Sequence, residues 1–325
     1  MQKILKIICF NLLFLILLLG VVEIYSYKMY YDKYSTLIKI QRETLAENDK
    51  EKELYNLKYH FTVPFDYKKM TRHLDNEVFT TSNKKRAIIT IGCSYTRGIG
   101  LEENQTFAAK LNKYTGRTTY NRGIPATGTQ MVYRQLSDKN FKKEVPDAEY
   151  VIYTFIWDHF YRMFRPLYSP YIGDMAICYR LKNNSLTEIK HPFYPFYSLF
   201  TIRNFIYNKS VSEAKKEFST GSPLFLKTVE ESQKMMKQLY PNSKFVLLEF
   251  PEGPMCSENY VDGNNELKEP EIKKLEEMGI IYVNAEKLVG HKLRDVNKYR
   301  VADKDHPSEK AWDEVVPKLA QKLNL

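Results

Sequence analysis

The chain has 325 residues, 43% of them hydrophobic and 14% aromatic, with a formal net charge of +10. That length is enough to bury the core of one large α/β domain or two small ones, and the composition excludes both a disordered chain and a fold that must be stapled by disulfides or metal. Removing the first 27 residues, with Lys3, Lys6 and Glu23, still leaves +9, and no Lys/Arg cluster has the spacing of a nucleic-acid motif. The excess charge therefore reads as solvated surface, and no nucleic-acid partner is expected.

The elements begin with Met1-Gln2-Lys3-Ile4-Leu5-Lys6, followed by an apolar run of 16 residues over 7–22 that only Asn11 interrupts. Lysines ahead of an apolar run predict a membrane anchor over 1–27, with the N-terminus cytoplasmic and the rest extracytoplasmic. The run is short for a span, which needs about 17–25 residues, yet no small-x-small cleavage site follows Val22, so a retained anchor is favoured over a cleaved signal peptide. Residues 28–60 are polar with weak helical periodicity in Leu37, Ile38, Ile40 and Leu45, and read as a juxtamembrane stalk.

From residue 61 to 325 the pattern is that of a folded domain in which strands and helices alternate. Strands are predicted over 86–92, 118–121, 150–155, 244–250 and 280–284, and helices over 106–115, 129–137, 224–240, 266–278 and 308–323. Such alternation implies a central parallel sheet with helices on both faces, a three-layer α/β/α sandwich. The stretch 160–222 is too long for a simple crossover and reads as an insertion, with 13 aromatics between Phe160 and Tyr207. Aromatic faces stack on sugars and line acyl pockets, although any single one serves more often as packing.

Ligands gather beyond the carboxyl ends of the strands in sheets of this kind. Ser94 stands directly after the first predicted strand, in Gly92-Cys93-Ser94-Tyr95-Thr96-Arg97-Gly98-Ile99-Gly100. Asn121-Arg122-Gly123-Ile124-Pro125-Ala126-Thr127-Gly128 follows the second, and Phe155-Ile156-Trp157-Asp158-His159 the third. Asp303-Lys304-Asp305-His306-Pro307 precedes the last helix, so Ser94 and His306, 212 positions apart, are expected at one edge of the sheet. A serine hydroxyl becomes a nucleophile when a base takes its proton, and a histidine held by an aspartate three residues earlier supplies one. The four cysteines, Cys9, Cys93, Cys178 and Cys256, form no Cys-x-x-Cys pair, and no His/Cys/Asp set has ligand spacing, so neither metal nor cofactor is expected.

These blocks, in this order, resemble the SGNH (GDSL-like) hydrolase superfamily over residues 86–325, in a variant with Cys93 where the eponymous motif has Asp. The resemblance implies a flavodoxin-like fold and an acyl-enzyme mechanism. Ser94 is then the nucleophile, His306 the general base and acid, and Asp303, not Asp305, the group that orients the imidazole. The oxyanion would be held by the amides of Ser94 and Ala126, where the family usually has glycine, with Gly128 as the alternative under a shifted alignment. The family's third-block asparagine is replaced: Trp157 aligns with it, and His159 is a second donor candidate. Arg162 and Tyr161 are candidate substrate contacts.

The reaction expected is hydrolysis or transfer of an acyl group at an ester, with an acylated cell-envelope carbohydrate the expected substrate from location and aromatic content. Alternatives are a lipid esterase, and a catalytically degenerate protein that binds glycan in the same cleft.

Overall fold

Residues 10–26, 28, 77–125, 127–164, 178–189, 212, 213, 215–253, 266–301 and 305–325 are described by the computed structural model. The expected stalk, most of the aromatic insertion, Cys9 and Cys256 lie outside these residues, and the side chains of Tyr161 and Cys178 are likewise not described.

Among the described residues there are eight strands: β1 (Glu77–Phe79), β2 (Ile88–Gly92), β3 (Thr119–Gly123), β4 (Tyr150–Phe155), β5 (Cys178–Lys182), β6 (Ser185–Ile189), β7 (Lys244–Glu249) and β8 (Ile281–Asn284). Six form one sheet in the order β1-β3-β2-β4-β7-β8, parallel throughout except for the edge strand β1, which runs antiparallel to β3. The central strands are near-continuous apolar runs, because helices cover both of their faces.

Within the sheet-forming domain the described helices include α1 (Ser94–Arg97), α2 (Phe107–Thr115), α3 (Thr129–Leu136), α4 (Phe141–Glu144), α5 (Asp158–Arg162), α6 (Pro223–Leu239), α7 (Glu269–Glu277), α8 (Ala285–Val289), α9 (Val296–Tyr299) and α10 (Glu309–Leu323). On one face Ile89, Ile91, Val151, Tyr153, Phe155, Phe245 and Leu247 pack under α3, α6 and α7. On the other Ile88, Tyr150, Ile152, Val246 and Leu248 pack under α2, α8 and α10, with Trp312 stacked on Phe107 at 4.6 Å. The alternation of side chains along each strand thus builds two cores from one sheet, which is the expected three-layer sandwich.

Local signals account for the helix boundaries. Thr106 and Ser308 cap α2 and α10 by accepting hydrogen bonds from the Ala109 and Ala311 amides, and Gly116 and Asn324 end the same helices in the left-handed conformation. β5 and β6 form a separate antiparallel hairpin turned by Asn183 and Asn184, both at positive φ.

The expected membrane-spanning helix is not found: among the described residues no helix is long and apolar enough to cross a membrane. Residues 10–26 are helical, just at the minimum of a span, while Ile4, Leu5, Ile7 and Ile8 belong to the segment outside the described residues. The large apolar side chains from Phe10 to Tyr25 are between 41% and 70% exposed, so among the described residues this helix packs on no apolar surface of the domain.

Candidate active site

Ser94 is placed by a sharp turn at the carboxyl end of β2. Gly92 has φ +154°, and a side chain there would overlap Thr96 Oγ1 and lie 2.9 Å from Thr154 O, so the turn requires glycine. Cys93 then caps α1, accepting from the Arg97 amide at 3.0 Å, and Ser94 becomes the first helical residue, 5% exposed. Gly123, at the end of β3, lies directly beneath this turn: a Cβ would sit 2.9 Å from both Arg97 Cα and Cys93 O. Asn121 ties the two elements together, donating from Nδ2 to Arg97 O at 3.3 Å and accepting from the Gly123 amide at 3.1 Å. Cys93 is itself buried, and burial pushes its thiol up. A neutral, compact side chain therefore immediately precedes Ser94.

His306 reaches the same edge through a tight loop between α9 and α10. Val301 N donates to His306 O at 2.9 Å, and Arg300 pairs with Pro307 as an isolated antiparallel bridge. Arg300 holds this loop against the end of β7, donating from Nη1 to Asp305 O at 3.0 Å and from Nη2 to Pro251 O at 2.9 Å and Glu252 O at 3.2 Å. The His306 ring, on a residue 5% exposed, lies 5.2 Å from the ring of Tyr95, the residue after Ser94. Tyr95 is fixed in turn, its hydroxyl accepting from the Gly253 amide at 2.9 Å. Val301 packs on Gly100, where a Cβ would come within 2.8 Å of Val301 Cγ2. The two loops that carry Ser94 and His306 are thus in contact at two points.

Asp303 and Ala126 lie outside the described residues. Asp305 is 4% exposed and sits against Gly253, where a Cβ would lie 2.7 Å from Asp305 O.

The second and third blocks meet each other. Thr127 donates from Oγ1 to Ile124 O at 2.7 Å, and its own carbonyl accepts from Arg162 Nη1 at 2.9 Å. Gly128 caps α3 in extended conformation, with no room for a side chain: a Cβ would lie 2.7 Å from Gln130 Oε1, 2.8 Å from Arg162 Cβ and 2.9 Å from His159 O. Arg162, a sequence candidate for substrate contact, is 9% exposed and pairs with Asp158 through Nε at 2.6 Å.

Trp157 is stacked on Phe160 at 5.5 Å and edge-on to Phe218 at 4.9 Å, within the core under α6, and its Nε1 has no hydrogen-bond partner among the described residues. His159 is fully buried. Its Nδ1 meets the Tyr153 hydroxyl at 2.8 Å, which in turn meets Thr129 Oγ1 at 2.9 Å, and burial followed by the Arg162 charge holds the imidazole well below its usual range.

Glu252, three residues past the end of β7, was not singled out in the sequence. It accepts from the Asp158 amide, while its Oε2 is buried with no hydrogen-bond partner among the described residues. Burial, then the negative charges of Asp158 and Asp305, push its carboxyl well above the usual range. The signal that could have found it is the strand-end rule, applied to the fourth central strand as it was to the first three. Among the described residues no His/Cys/Asp/Glu group is arranged to hold a metal ion.

No family model matches the chain, and no curated protein matches it. Solved structures similar to it include that of TesA, at 12% identity and TM-score 0.43 over 73% of this chain and 97% of that one. A phospholipase A1 from Streptomyces albidoflavus aligns at 11% identity and TM-score 0.40, covering 73% and 99% of the two chains. A carbohydrate esterase family 2 enzyme from Corynascus thermopiles, solved with its carbohydrate-binding domain, aligns at 11% identity and TM-score 0.38 over 76% and 69%.

Proposed function

We propose that this protein is a serine esterase or acyltransferase in which Ser94 is acylated with the help of His306, oriented by Asp303. The observation that carries the reading is the packing of the His306 ring on Tyr95, which brings an imidazole to the residue next to a buried serine at the sheet's carboxyl edge. Ser94 Oγ attacks the ester carbonyl while His306 takes its proton, and the same proton then leaves with the alcohol. Water or a second hydroxyl, deprotonated by His306, releases the acyl group from Ser94. The oxyanion is assigned to backbone amides, those of Ser94 and of Ala126 or Gly128 in the loop after β3. Trp157, stacked in the core, and His159, held on the Tyr153 hydroxyl, are given no part in it.

The substrate class we assign is an acetylated carbohydrate of the cell envelope, reached by a domain held at the outer face of a membrane through residues 1–27. Support for that placement comes from the lysine-flanked apolar run and from the exposed apolar surface of the helix over 10–26. Three assays test these readings. An aryl acetate should be hydrolysed by the wild-type protein and not by Ser94→Ala or His306→Ala. Acetate should be released from acetylated glycan, whereas fatty-acid release from phospholipid in its place would reassign the substrate. The full chain should sediment with membranes after carbonate washing, and its recovery in the wash would refute the anchor.

A further inference from the structure

A buried ion pair runs from the third block to the second. Asp158 and Arg162 occupy successive turns of α5, so that Asp158 Oδ2 lies 2.6 Å from Arg162 Nε, with the two side chains 3% and 11% exposed. Arg162 then crosses to the loop after β3, where Nη1 donates to Thr127 O at 2.9 Å. Gln130, in the first turn of α3, returns the contact by donating from Nε2 to Arg162 O at 3.0 Å. Asp158 is held from the other side, its amide donating to Glu252 at the end of β7. The ends of β3, β4 and β7 are therefore tied by one polar chain: Thr127 to Arg162 to Asp158 to Glu252.

The arrangement does not favour a substrate role for Arg162, since the guanidinium is buried and already engaged on a carbonyl and a carboxylate. It does suit a second task. A carbonyl fixed at Thr127 fixes the peptide plane between Thr127 and Gly128, and hence the direction of the Gly128 N–H. Gly128 is wedged against the backbone of α5 on its other side, with His159 O 2.9 Å from the position of a Cβ.

We infer that the Asp158–Arg162 pair is a positioning device that locks the Thr127–Gly128 peptide so that its N–H serves as an oxyanion donor. The inference rests on the esterase reading above. The guanidinium donates from Nη1 to the Thr127 carbonyl, while its pairing with the Asp158 carboxylate is a close ionic contact in which Nε makes no aligned hydrogen bond among the described residues.

The test compares wild type with Arg162→Lys, Arg162→Gln and Asp158→Asn on a matched pair of substrates, an aryl acetate and its thionoacetate, in which sulfur is the weaker acceptor for oxyanion donors. Each variant should lose about 10²-fold in kcat on the oxygen ester, the scale of a misplaced catalytic group. KM and the pH midpoint of kcat/KM should stay unchanged, and the wild-type preference for oxygen over sulfur should shrink by a similar factor.

An unchanged kcat in folded variants overturns the inference, as does a raised KM at constant kcat, which returns Arg162 to substrate binding. A kcat loss with the oxygen/sulfur preference intact also overturns it, leaving the pair a purely structural role. If the arginine variants fail to fold, Asp158→Asn, which keeps an acceptor facing Arg162, carries the same comparison. A folded wild-type protein inert to both esters refutes the esterase reading, and this inference with it.

Discussion

Replacing Gly128 by alanine would probe the site at its tightest point. Gly128 is in extended conformation, which alanine adopts without strain, so the whole effect comes from the added methyl. That methyl would meet three atoms closer than 3.0 Å: Gln130 Oε1 at 2.7 Å, Arg162 Cβ at 2.8 Å and His159 O at 2.9 Å. The Gln130 amide is the end of a side chain and can turn away. His159 O is backbone, and Arg162 Cβ is the root of a side chain fixed at both Asp158 and Thr127, so the loop and α5 must separate by several tenths of an ångström. Overpacking of this kind costs about 1–3 kcal/mol. At about 2–4 °C per kcal/mol for a domain of this size, the loss is visible in a thermal melt. Because the separation also turns the Gly128 N–H, kcat on an aryl acetate should fall about 10²-fold or more, as when an oxyanion donor is lost. A folded Gly128→Ala protein with wild-type kcat would refute the placement of this peptide at the reacting centre.

Trp312→Ala should destabilise the domain by about 3–5 kcal/mol, since it empties a fully buried site between Phe107 and Phe250, and chemical denaturation would measure it. Trp157→Phe should leave turnover near the wild-type value, because a phenyl ring keeps the stacking on Phe160; a large kcat loss in a folded protein would make the indole N–H a donor. Glu252 has its carboxyl raised by burial and by Asp158, so the native state holds this proton more tightly than the unfolded chain does. Its contribution is complete below the ordinary carboxylate range and is lost as pH rises through the raised value. Glu252→Gln, which keeps an acceptor for the Asp158 amide and cannot ionise, should therefore gain melting temperature over wild type progressively from pH 4 to pH 8. A constant difference across that range would contradict the assignment.

Much of the fold was legible because the central strands are buried on both faces and carry long apolar runs. β4 spans the expected 150–155, and α2 starts one residue after its capping Thr106. β1 escaped notice because three residues, Glu77-Val78-Phe79, show no periodicity and gain their strand character only from pairing with β3. The β5–β6 hairpin did leave a trace, the Asn183-Asn184 pair at its turn, hidden within a segment read as aromatic insertion.

Local spacing named Ser94 and His306 as candidates, and the structure brings the His306 ring to within 5.2 Å of the Tyr95 ring, whereas contacts between distant loops left no local signal. Nothing adjacent in sequence links Arg162 to Thr127 or Glu252 to Asp158. Arg162 in particular looks like a free cation in the sequence and is a buried clamp in the fold.

Treatment of the wild-type protein with a fluorophosphonate, followed by intact mass and peptide mapping, tests the acyl-enzyme claim most directly. One equivalent of phosphonyl adduct is expected on Ser94, absent in Ser94→Ala and slowed by orders of magnitude in His306→Ala. A folded wild-type protein that remains unlabelled, or one labelled at a residue other than Ser94, would contradict it.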